Sequence, residues 1–452
     1  MITIGYFLSF LLGRLTLDRC LKENVRLLHP CAAALLALVS GLGLSALLTF
    51  LTFVVLDSFH RPVIILVNIS AIIIFLFFNR NLYIQKTIIP ITDWLPWTKF
   101  RWFHFLYILL GVFIVGVAYV IALTHPYGEW DAWAIWNLKT RFLIVSDSWN
   151  LIFTDLHYHT HPDYPLLLPF INTWIYCFSA DNLHPIPMVT NIIFVIGCGG
   201  FLCCTLYQIR KFSFPFLMGL IMFTTPSYLY LGTFQYADSL IAFFLLINLY
   251  FITMFQKTKD ASWLNILGLS LGLTAFVKNE GLLMALILMF VVSVYILIDK
   301  NNRVGKSAVK HLLFTFLITF IPVLIFKVFI APPNDDILPN INTSNFTAER
   351  FQILYNAVIT EIFHEKWCYM WIVVLALLIS RIWRAFNREN IILSIFFIIY
   401  SSAIVCIYVL NGKADLSWWL ETSLSRILFS LLPALVFFGV HLHYSKQRGA
   451  HV

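Results

Sequence analysis

Long apolar runs recur along the whole chain and are separated by short polar stretches. Many of them approach or exceed the roughly 18 residues that cross the hydrocarbon layer of a bilayer. The first run lacks a basic leader and a small-residue cleavage site, so we expect it to be a retained span. The pattern predicts an all-α polytopic membrane protein with about thirteen spans, near residues 1–17, 31–57, 63–78, 103–123, 188–209, 214–231, 239–256, 262–278, 281–298, 311–331, 367–382, 391–410 and 426–442.

The composition agrees with this pattern. Of the 452 residues, 60% are hydrophobic and only 12% are charged, whereas a soluble domain usually has about 25% charged residues. A soluble globular domain is therefore excluded. The eight cysteines show no CxxC spacing, so the sequence indicates neither a disulfide framework nor a zinc site.

Charge separates the loops into two sets. The loops at 18–30, 79–102, 210–213, 257–261, 299–310, 381–390 and 443–452 carry 20 of the 30 Lys and Arg residues but only six of the 22 acids. Because cationic loops stay cytoplasmic, we expect the N-terminus outside and the C-terminus inside. Among the signals considered, no eukaryotic targeting or retention motif is visible, so we expect a bacterial inner (plasma) membrane.

The opposite, outer side is predicted to hold two long loops, 124–187 and 332–366. Within the first loop, Tyr164–Phe178 is apolar but only about 15 residues long, which is short for a span. We expect it to form a helix that lies at the outer surface or dips partly into the membrane. No soluble domain and no obvious repeat are present.

The start of the first outer loop concentrates charge and tryptophan. Glu129 and Asp131 follow directly on a span, and Lys139 and Arg141 come shortly after them. Tryptophans at three-residue spacing share one helical face, as interfacial anchors would; they are Trp130, Trp133 and Trp136. The alternative is that Asp131 only caps a helix, but a capping box would need Glu or Gln at 134. We favour a functional role.

A second polar segment runs from His157 to Pro169. Its alternating histidines, His157, His159 and His161, would share one face of an extended strand, as metal ligands do. We favour a solvated loop over a metal site. Its position near Asp131 makes contact with a substrate plausible.

Four further charged residues interrupt apolar pairs of spans at their outer ends: Asp238, Lys278, Glu280 and Arg426. A charge at the centre of a span costs on the order of 3 kcal/mol, and less near the interface. Any one of these side chains could reach the interface without a role. Their convergence on the side of Glu129 and Asp131 indicates a functional site.

These motifs resemble the GT-C glycosyltransferases of the protein O-mannosyltransferase and aminoarabinose-transferase type. The resemblance runs from about Thr124 to Leu432, and the N-terminal helices 1–102 lie outside it. It predicts a catalytic region over 103–442 and leaves 443–452 as a cytoplasmic tail. The motifs are the loop with Asp131, His161–Pro169, Tyr236-Ala-Asp238, Lys278-Asn-Glu-Gly281, and Trp419 with Ser423 and Arg426.

The resemblance implies an enzyme that moves a hexose or pentose from a polyprenyl-phosphate carrier to a lipid, glycan or protein acceptor at the outer face. The family's base carries over to Asp131. Family members often have adjacent Asp-Glu there, so Glu129 remains open as the alternative. Arg426 is the first choice to hold the leaving phosphate and Lys278 the second; Lys139 and Arg141 are additional candidates. Substrate contacts are expected from His161, Asp163, Tyr164, Asp238, Glu280 and Ser423.

Two other classes of function fit parts of the sequence. A transporter or flippase usually places charges near the middle of the membrane, whereas here they lie at outer helix ends. A non-catalytic scaffold or a polymerase-ligase of surface glycans would leave the ordered motifs unexplained. We expect no nucleic-acid partner and no certain cofactor, although the acids at 129, 131, 163 and 238 could hold a divalent cation.

Overall fold

The computed structural model describes residues 1–85, 102–154, 160–180, 182–209, 214–298, 307–334 and 337–444. Within these ranges the chain is almost entirely helical and has no β-strand, so the predicted fold class is confirmed. The α-helices are α1 Ile2–Leu21, α2 Pro30–Leu56, α3 Arg61–Gln85, α4 Trp102–Thr124, α5 Asn137–Val145, α6 Leu167–Tyr176, α7 Pro185–Ile209, α8 Phe214–Thr224, α9 Pro226–Gly232, α10 Asp238–Thr258, α11 Ser262–Ala275, α12 Asn279–Ile298, α13 Ser307–Ile325, α14 Ala348–Phe363, α15 Met370–Ile379, α16 Ile391–Leu410 and α17 Leu416–Tyr444.

All thirteen apolar segments are helical, but fewer are long enough to cross a membrane by themselves. Eight helices of the described chain meet the length and composition of a span, and α8 with α9 adds a ninth if they are counted as one bent span. This pair bends by 57° because Thr225 precedes Pro226 and takes an extended conformation. A polytopic membrane protein is thus shown, and the figure of thirteen spans stays a prediction.

Two of the cation-rich loops, 18–30 and 257–261, meet at one end of the bundle. Asn24 donates hydrogen bonds to Asp260 and Ser262, both at 2.7 Å. Gln208, at the end of α7, donates to the carbonyl of Leu27 at 3.0 Å. These two loops therefore share a location, as the charge pattern predicts for one side of a membrane.

Both long loops fold against the opposite end. Asp57, at the end of α2, accepts hydrogen bonds from Ser148 and Asn150, each at 3.1 Å. In the second loop, Arg350 donates to the carbonyls of Tyr408, Val409 and Asn411. These carbonyls at the end of α16 have no partner within their helix, so the guanidinium caps it. The two predicted outer loops lie at a common end of the molecule.

Helix α6 is a short helix inside the bundle. Of the two positions expected for this segment, the one at the outer surface is wrong, because all ten residues of Leu167–Tyr176 are buried. Trp174 donates a hydrogen bond to Ser9 in α1 at 2.8 Å. Ten residues span only about 15 Å, half of the hydrocarbon layer. Its two polar residues, Asn172 and Thr173, are enclosed as well, so α6 dips in among α1, α2 and α7.

The N-terminal helices share the core of the rest of the chain. Phe50 in α2 packs edge-on against Phe170, Phe276 and Phe326, with ring centroids 5.1–6.4 Å apart. Residues 1–102 lie outside the sequence resemblance, yet α1 and α2 pack within the same hydrophobic core as the expected catalytic region.

Helices α1 and α2 approach each other through two glycines. A Cβ added at Gly41 would overlap the carbonyl of Ser9, and one added at Gly13 would overlap the carbonyl of Ala37. Small residues of this kind allow close backbone packing between membrane helices. The short distance between the two helices therefore depends on glycine at positions 13 and 41.

We expect Gly41→Ala to destabilise the protein by about 1–3 kcal/mol, because the new methyl group forces α1 and α2 apart. Gly116→Ala is the matched control, since a Cβ at Gly116 in α4 meets nothing within 4 Å. It should be neutral or stabilising by up to about 1 kcal/mol through helix propensity. Thermal unfolding in one detergent measures both. Equal effects of the two variants would contradict the close approach.

Candidate active site

Arg426 in α17 stands at the centre of a cluster of charges. Its Nη2 atom lies 2.6 Å from Asp131 Oδ2 and 3.1 Å from Asp238 Oδ2. Its Nε atom lies 3.3 Å from the same Asp238 oxygen, and its Cζ atom lies 4.6 Å from the centre of the Tyr236 ring. A single guanidinium thus joins two loops that are more than 100 residues apart in sequence.

Asp238 is held from two sides. Lys278 Nζ lies 2.7 Å from Asp238 Oδ1 and 3.1 Å from Glu280 Oε1. The side chain of Asp238 is only 3% exposed, whereas that of Asp131 is 18% exposed. Two cations face three carboxylates in this cluster. Asp238 is therefore the buried anchor of the two cations, and Asp131 and Glu280 are the more accessible carboxylates.

Two loops lock together to place Asp131. Gly128 has φ +74°, and an added Cβ would collide with Ala132 and the carbonyl of Phe234, so only glycine fits this turn. The Glu129 amide donates to that carbonyl at 3.2 Å, and the Asp131 amide donates to the Tyr236 hydroxyl at 3.3 Å. Burial raises the pKa of Tyr236. The phenol is therefore neutral at physiological pH.

The two acids of the first loop have different surroundings. The Asp131 side chain makes no capping hydrogen bond to the π-helical turn Ala132–Trp136 that follows it, so its ion pair with Arg426 replaces the capping interpretation. Glu129 pairs with His125 at 3.2 Å. Of the two candidate bases, only Asp131 has its carboxylate on Arg426.

The three tryptophans do not form a common anchor. Trp130 and Trp133 are each 47% exposed and their rings lie 4.3 Å apart, but Trp136 is fully buried. The expectation for Trp136 is wrong, because residues 132–136 form a π-helical turn. This turn rotates Trp136 away from the face that α-helical spacing predicts.

A second polar group surrounds Asp163. Asn279 and Asn334 both donate to Asp163 Oδ2 at 2.7 Å. Lys327 donates to the Asp163 carbonyl at 2.5 Å and to Asn279 at 2.7 Å. The sequence motifs point to neither Lys327 nor Asn334, and they include Asn279 only within Lys278-Asn-Glu-Gly281. A lysine inside an apolar run is the signal that would have identified Lys327, since such residues mark functional sites by default.

Lys139 is directed into the protein, towards the His161 loop. It is 2% exposed, and its Nζ atom donates to the His161 carbonyl at 2.6 Å. His161 has φ +44° and stacks on Tyr164 at 4.6 Å. Burial lowers the pKa of Lys139 to about 7. Lys139 therefore supports the His161 loop. Because its amine is only partly protonated near pH 7, it is a less suitable ligand for a phosphate than an arginine.

We expect Lys139 to give the protein a pH-dependent stability. Its pKa is about 7 in the folded chain, against 10.5 in the unfolded one, so only the unfolded chain binds a proton between these values. Stability should therefore rise with pH across this window. Lys139→Met removes the effect. Between about pH 7 and about pH 9.5, the melting temperature of the wild type should rise relative to that of Lys139→Met. The same change with pH in both proteins would contradict this prediction.

Other predicted residues lie elsewhere. Arg141 is exposed and lines a cavity of about 450 Å³ together with Tyr127, Asn137 and His184. Ser423 donates to the Trp419 carbonyl at 2.5 Å and lies 2.6 Å from the Tyr408 hydroxyl. The structure brings Asp131, Asp238, Lys278, Glu280 and Arg426 into one cluster, and His161, Asp163, Tyr164 and Lys139 into a second. His157 and His159 lie outside the described residues.

The acids at 129, 131, 163 and 238 do not form one compact group. Within the described ranges, the grouping of metal-ligating side chains that is compact enough for an ion is His29, Cys31 and Cys204. Asp131 and Asp238 instead face Arg426, and Asp163 faces amides.

Residues 163–326 match the sequence model of the dolichyl-phosphate-mannose-protein mannosyltransferase family. The family is part of the GT-C superfamily, and the resemblance stated above is confirmed at this level. The match covers 164 of the 452 residues, so it shows a similarity to this family over just over a third of the chain. The family implies a polyprenyl-phosphate-linked sugar donor. The match covers Asp163, Asp238, Lys278 and Glu280, whereas Asp131 and Arg426 lie outside it. Neither a curated protein nor a solved structure gave a significant match.

Proposed function

We propose that this protein transfers a sugar from a polyprenyl-phosphate carrier to an acceptor at the non-cytoplasmic face of the membrane, with inversion at the anomeric carbon. Asp131 is the base, and Arg426 holds the donor phosphate. The observation that carries the proposal is the guanidinium of Arg426, 2.6 Å from Asp131 and 3.1 Å from Asp238. The charges that the reaction needs are thus adjacent.

The chemistry uses each group in one role. Asp131 takes the proton of the acceptor hydroxyl while the oxygen attacks the anomeric carbon. The bond from that carbon to the phosphate oxygen breaks, and the polyprenyl phosphate leaves with the electron pair. Arg426 stabilises the charge on the leaving phosphate through two-point hydrogen bonding. One displacement inverts the carbon, and no covalent enzyme intermediate is needed.

The ion pair between Asp131 and Arg426 has a consequence for the order of events. While the pair is closed, the guanidinium of Arg426 occupies the Oδ2 atom of Asp131. A donor phosphate competes with Asp131 for the same guanidinium nitrogen. Asp238 keeps the arginine in place, because it is held by Lys278 as well. Donor binding therefore frees Asp131 for the acceptor, so that the base becomes active only when the donor is present.

The side of the membrane follows from the arrangement of charge. The cation-rich loops 18–30 and 257–261 lie at the end of the bundle opposite to Arg426, where Asn24 meets Asp260. Since such loops remain cytoplasmic, the charged cluster belongs at the other face. Labelling of introduced cysteines at 131 and at 260 in sealed cells with a membrane-impermeant reagent tests this side; reaction at 260 alone would contradict it.

The main rival is a transporter of lipid-linked sugars, and one assay separates the two functions. Purified protein in vesicles receives a polyprenyl-phosphate sugar labelled in both the lipid and the sugar, with membranes from cells lacking the protein as the source of acceptor. We expect release of polyprenyl phosphate and label in the acceptor, both absent with Asp131→Asn. Movement of intact donor across the vesicle without cleavage would refute the transferase.

A further inference from the structure

Three soft metal-ligating side chains meet at the end of the bundle opposite to the charged cluster. The ligand atoms of His29, Cys31 and Cys204 all lie within 4.8 Å of one another. The hydrogen bond from Gln208 to Leu27 closes the same corner. None of the three residues belongs to the proposed catalytic machinery, and the matched family region contains only Cys204.

The packing of two antiparallel helices creates this cluster. Cys31 lies in the first turn of α2, and Cys204 lies in the last two turns of α7. Leu35 and Gly200 lie one turn further along the same faces, since residues four apart are neighbours on a helix. A Cβ added at Gly200 would lie 3.5 Å from Leu35 Cδ1. The two helices are therefore neighbours at this level, and the thiols of Cys31 and Cys204 face each other one turn away.

Within the described part of the chain, the imidazole of His29 has one buried nitrogen without a partner. His29 precedes α2, but its side chain makes no capping hydrogen bond. Its Nδ1 atom is buried and has no hydrogen-bond partner among the described residues, which normally costs free energy. The ring packs edge-on against Tyr207, with centroids 5.7 Å apart. The orientation of the imidazole ring is therefore fixed, and its Nδ1 atom lacks a hydrogen-bond partner in the ranges that the structure describes.

We propose that His29, Cys31 and Cys204 bind one soft metal ion, with Zn²⁺ as the favoured ion. Two sulfur ligands and one imidazole are the donors that Zn²⁺ selects. With bond lengths of about 2.3 Å to sulfur and about 2.0 Å to nitrogen, bound ligand atoms lie roughly 3.3–3.8 Å apart. The observed group reaches this spacing by movements of about 1 Å. Cys31 is exposed and provides the path of entry.

The bound ion would clamp the start of α2 to the end of α7. Water completes the fourth position. Because the site is assembled only in the folded chain, the ion stabilises the fold by mass action. The sequence analysis missed this site because Cys204 is far from the other two ligands in sequence, so no spacing motif marks it.

Titration of the full chain in detergent, reduced and stripped by a chelator, tests the site. Co²⁺ serves as the spectroscopic probe and Zn²⁺ as the competitor. We expect one Co²⁺ per chain with thiolate-to-metal charge-transfer absorption that Zn²⁺ removes. Cys31→Ser and Cys204→Ser should abolish the absorption, and His29→Ala should weaken binding about tenfold or more. Cys406→Ser is the matched control, because Cys406 is an exposed cysteine in α16.

The melting temperature gives a second readout. Zn²⁺ should raise it for the wild type and for Cys406→Ser, and should leave it unchanged for Cys204→Ser. Binding that is equal in all variants, or no binding, would overturn the proposal. A disulfide between Cys31 and Cys204 in protein isolated with its thiols blocked would also overturn it, because the pair would then be a redox couple.

Discussion

Asp131→Asn should lower the rate of sugar transfer by about 10²–10⁴-fold, the range for loss of a positioned general base. Asparagine has nearly the shape of aspartate but takes no proton. Donor affinity should be unchanged or higher, because the variant removes the carboxylate that competes with the donor phosphate for Arg426, 2.6 Å away. Single-turnover kinetics with labelled donor, and separate binding of polyprenyl phosphate, measure the two effects.

Glu129→Gln is the matched control for this experiment. Glu129 lies two residues away and pairs with His125 at 3.2 Å, so its loss should reduce transfer by less than about tenfold, well below the range for a general base. The opposite result, in which Glu129→Gln abolishes transfer and Asp131→Asn retains it, would assign the base to Glu129. Weaker donor binding in Asp131→Asn would contradict the competition between carboxylate and phosphate.

Arg426→Ala should weaken donor binding by about 10²-fold or more, since truncating one partner of a buried charged contact costs about 2–5 kcal/mol. It should also destabilise the free protein by about 3–5 kcal/mol, because Asp131 and Asp238 lose the cation between them. Arg426→Lys keeps the charge but loses the two-point geometry. We expect it to fall between the wild type and the alanine variant in both properties.

Arg381→Ala is the matched control for loss of an arginine. Arg381 lies at the end of α15 and stacks on Trp383, 5.5 Å away, near the cation-rich loops. Donor affinity and melting temperature should stay close to those of the wild type. If Arg426→Ala binds polyprenyl phosphate as tightly as Arg381→Ala does, Arg426 is not the phosphate ligand.

The charged cluster was predictable because its members share one simple property. Asp131, Asp238, Lys278 and Arg426 interrupt apolar segments at the ends opposite to the cation-rich loops. In the predicted topology an even number of spans separates these residues from one another. They therefore lie on the same face of the membrane, whatever the packing of the helices. The prediction required only hydropathy and the distribution of charge. It did not say which acid pairs with which cation. Only the structure shows that Asp238 contacts both Lys278 and Arg426.

The errors share a different property. The position of Trp136 depends on a π-helical turn, which spacing along the sequence does not reveal. The apolar segment that contains α6 is too short to cross the membrane, and its length shows this. Its burial depends on the helices around it, which the segment itself does not reveal. Lys139 stays a candidate phosphate ligand because it closely follows Asp131 in sequence, and only the structure shows that its amine donates to the His161 carbonyl. Each error comes from local geometry or from tertiary packing.

The most direct test of the account is a structure of the protein in a lipid nanodisc with a non-transferable polyprenyl-phosphate sugar analogue. The account predicts that the phosphate lies within about 4 Å of the Arg426 guanidinium, that the contact between Arg426 and Asp131 is open, and that the Asp131 carboxylate faces the anomeric carbon from the side opposite to the phosphate. A phosphate bound elsewhere, with the ion pair between Asp131 and Arg426 still closed, would contradict it.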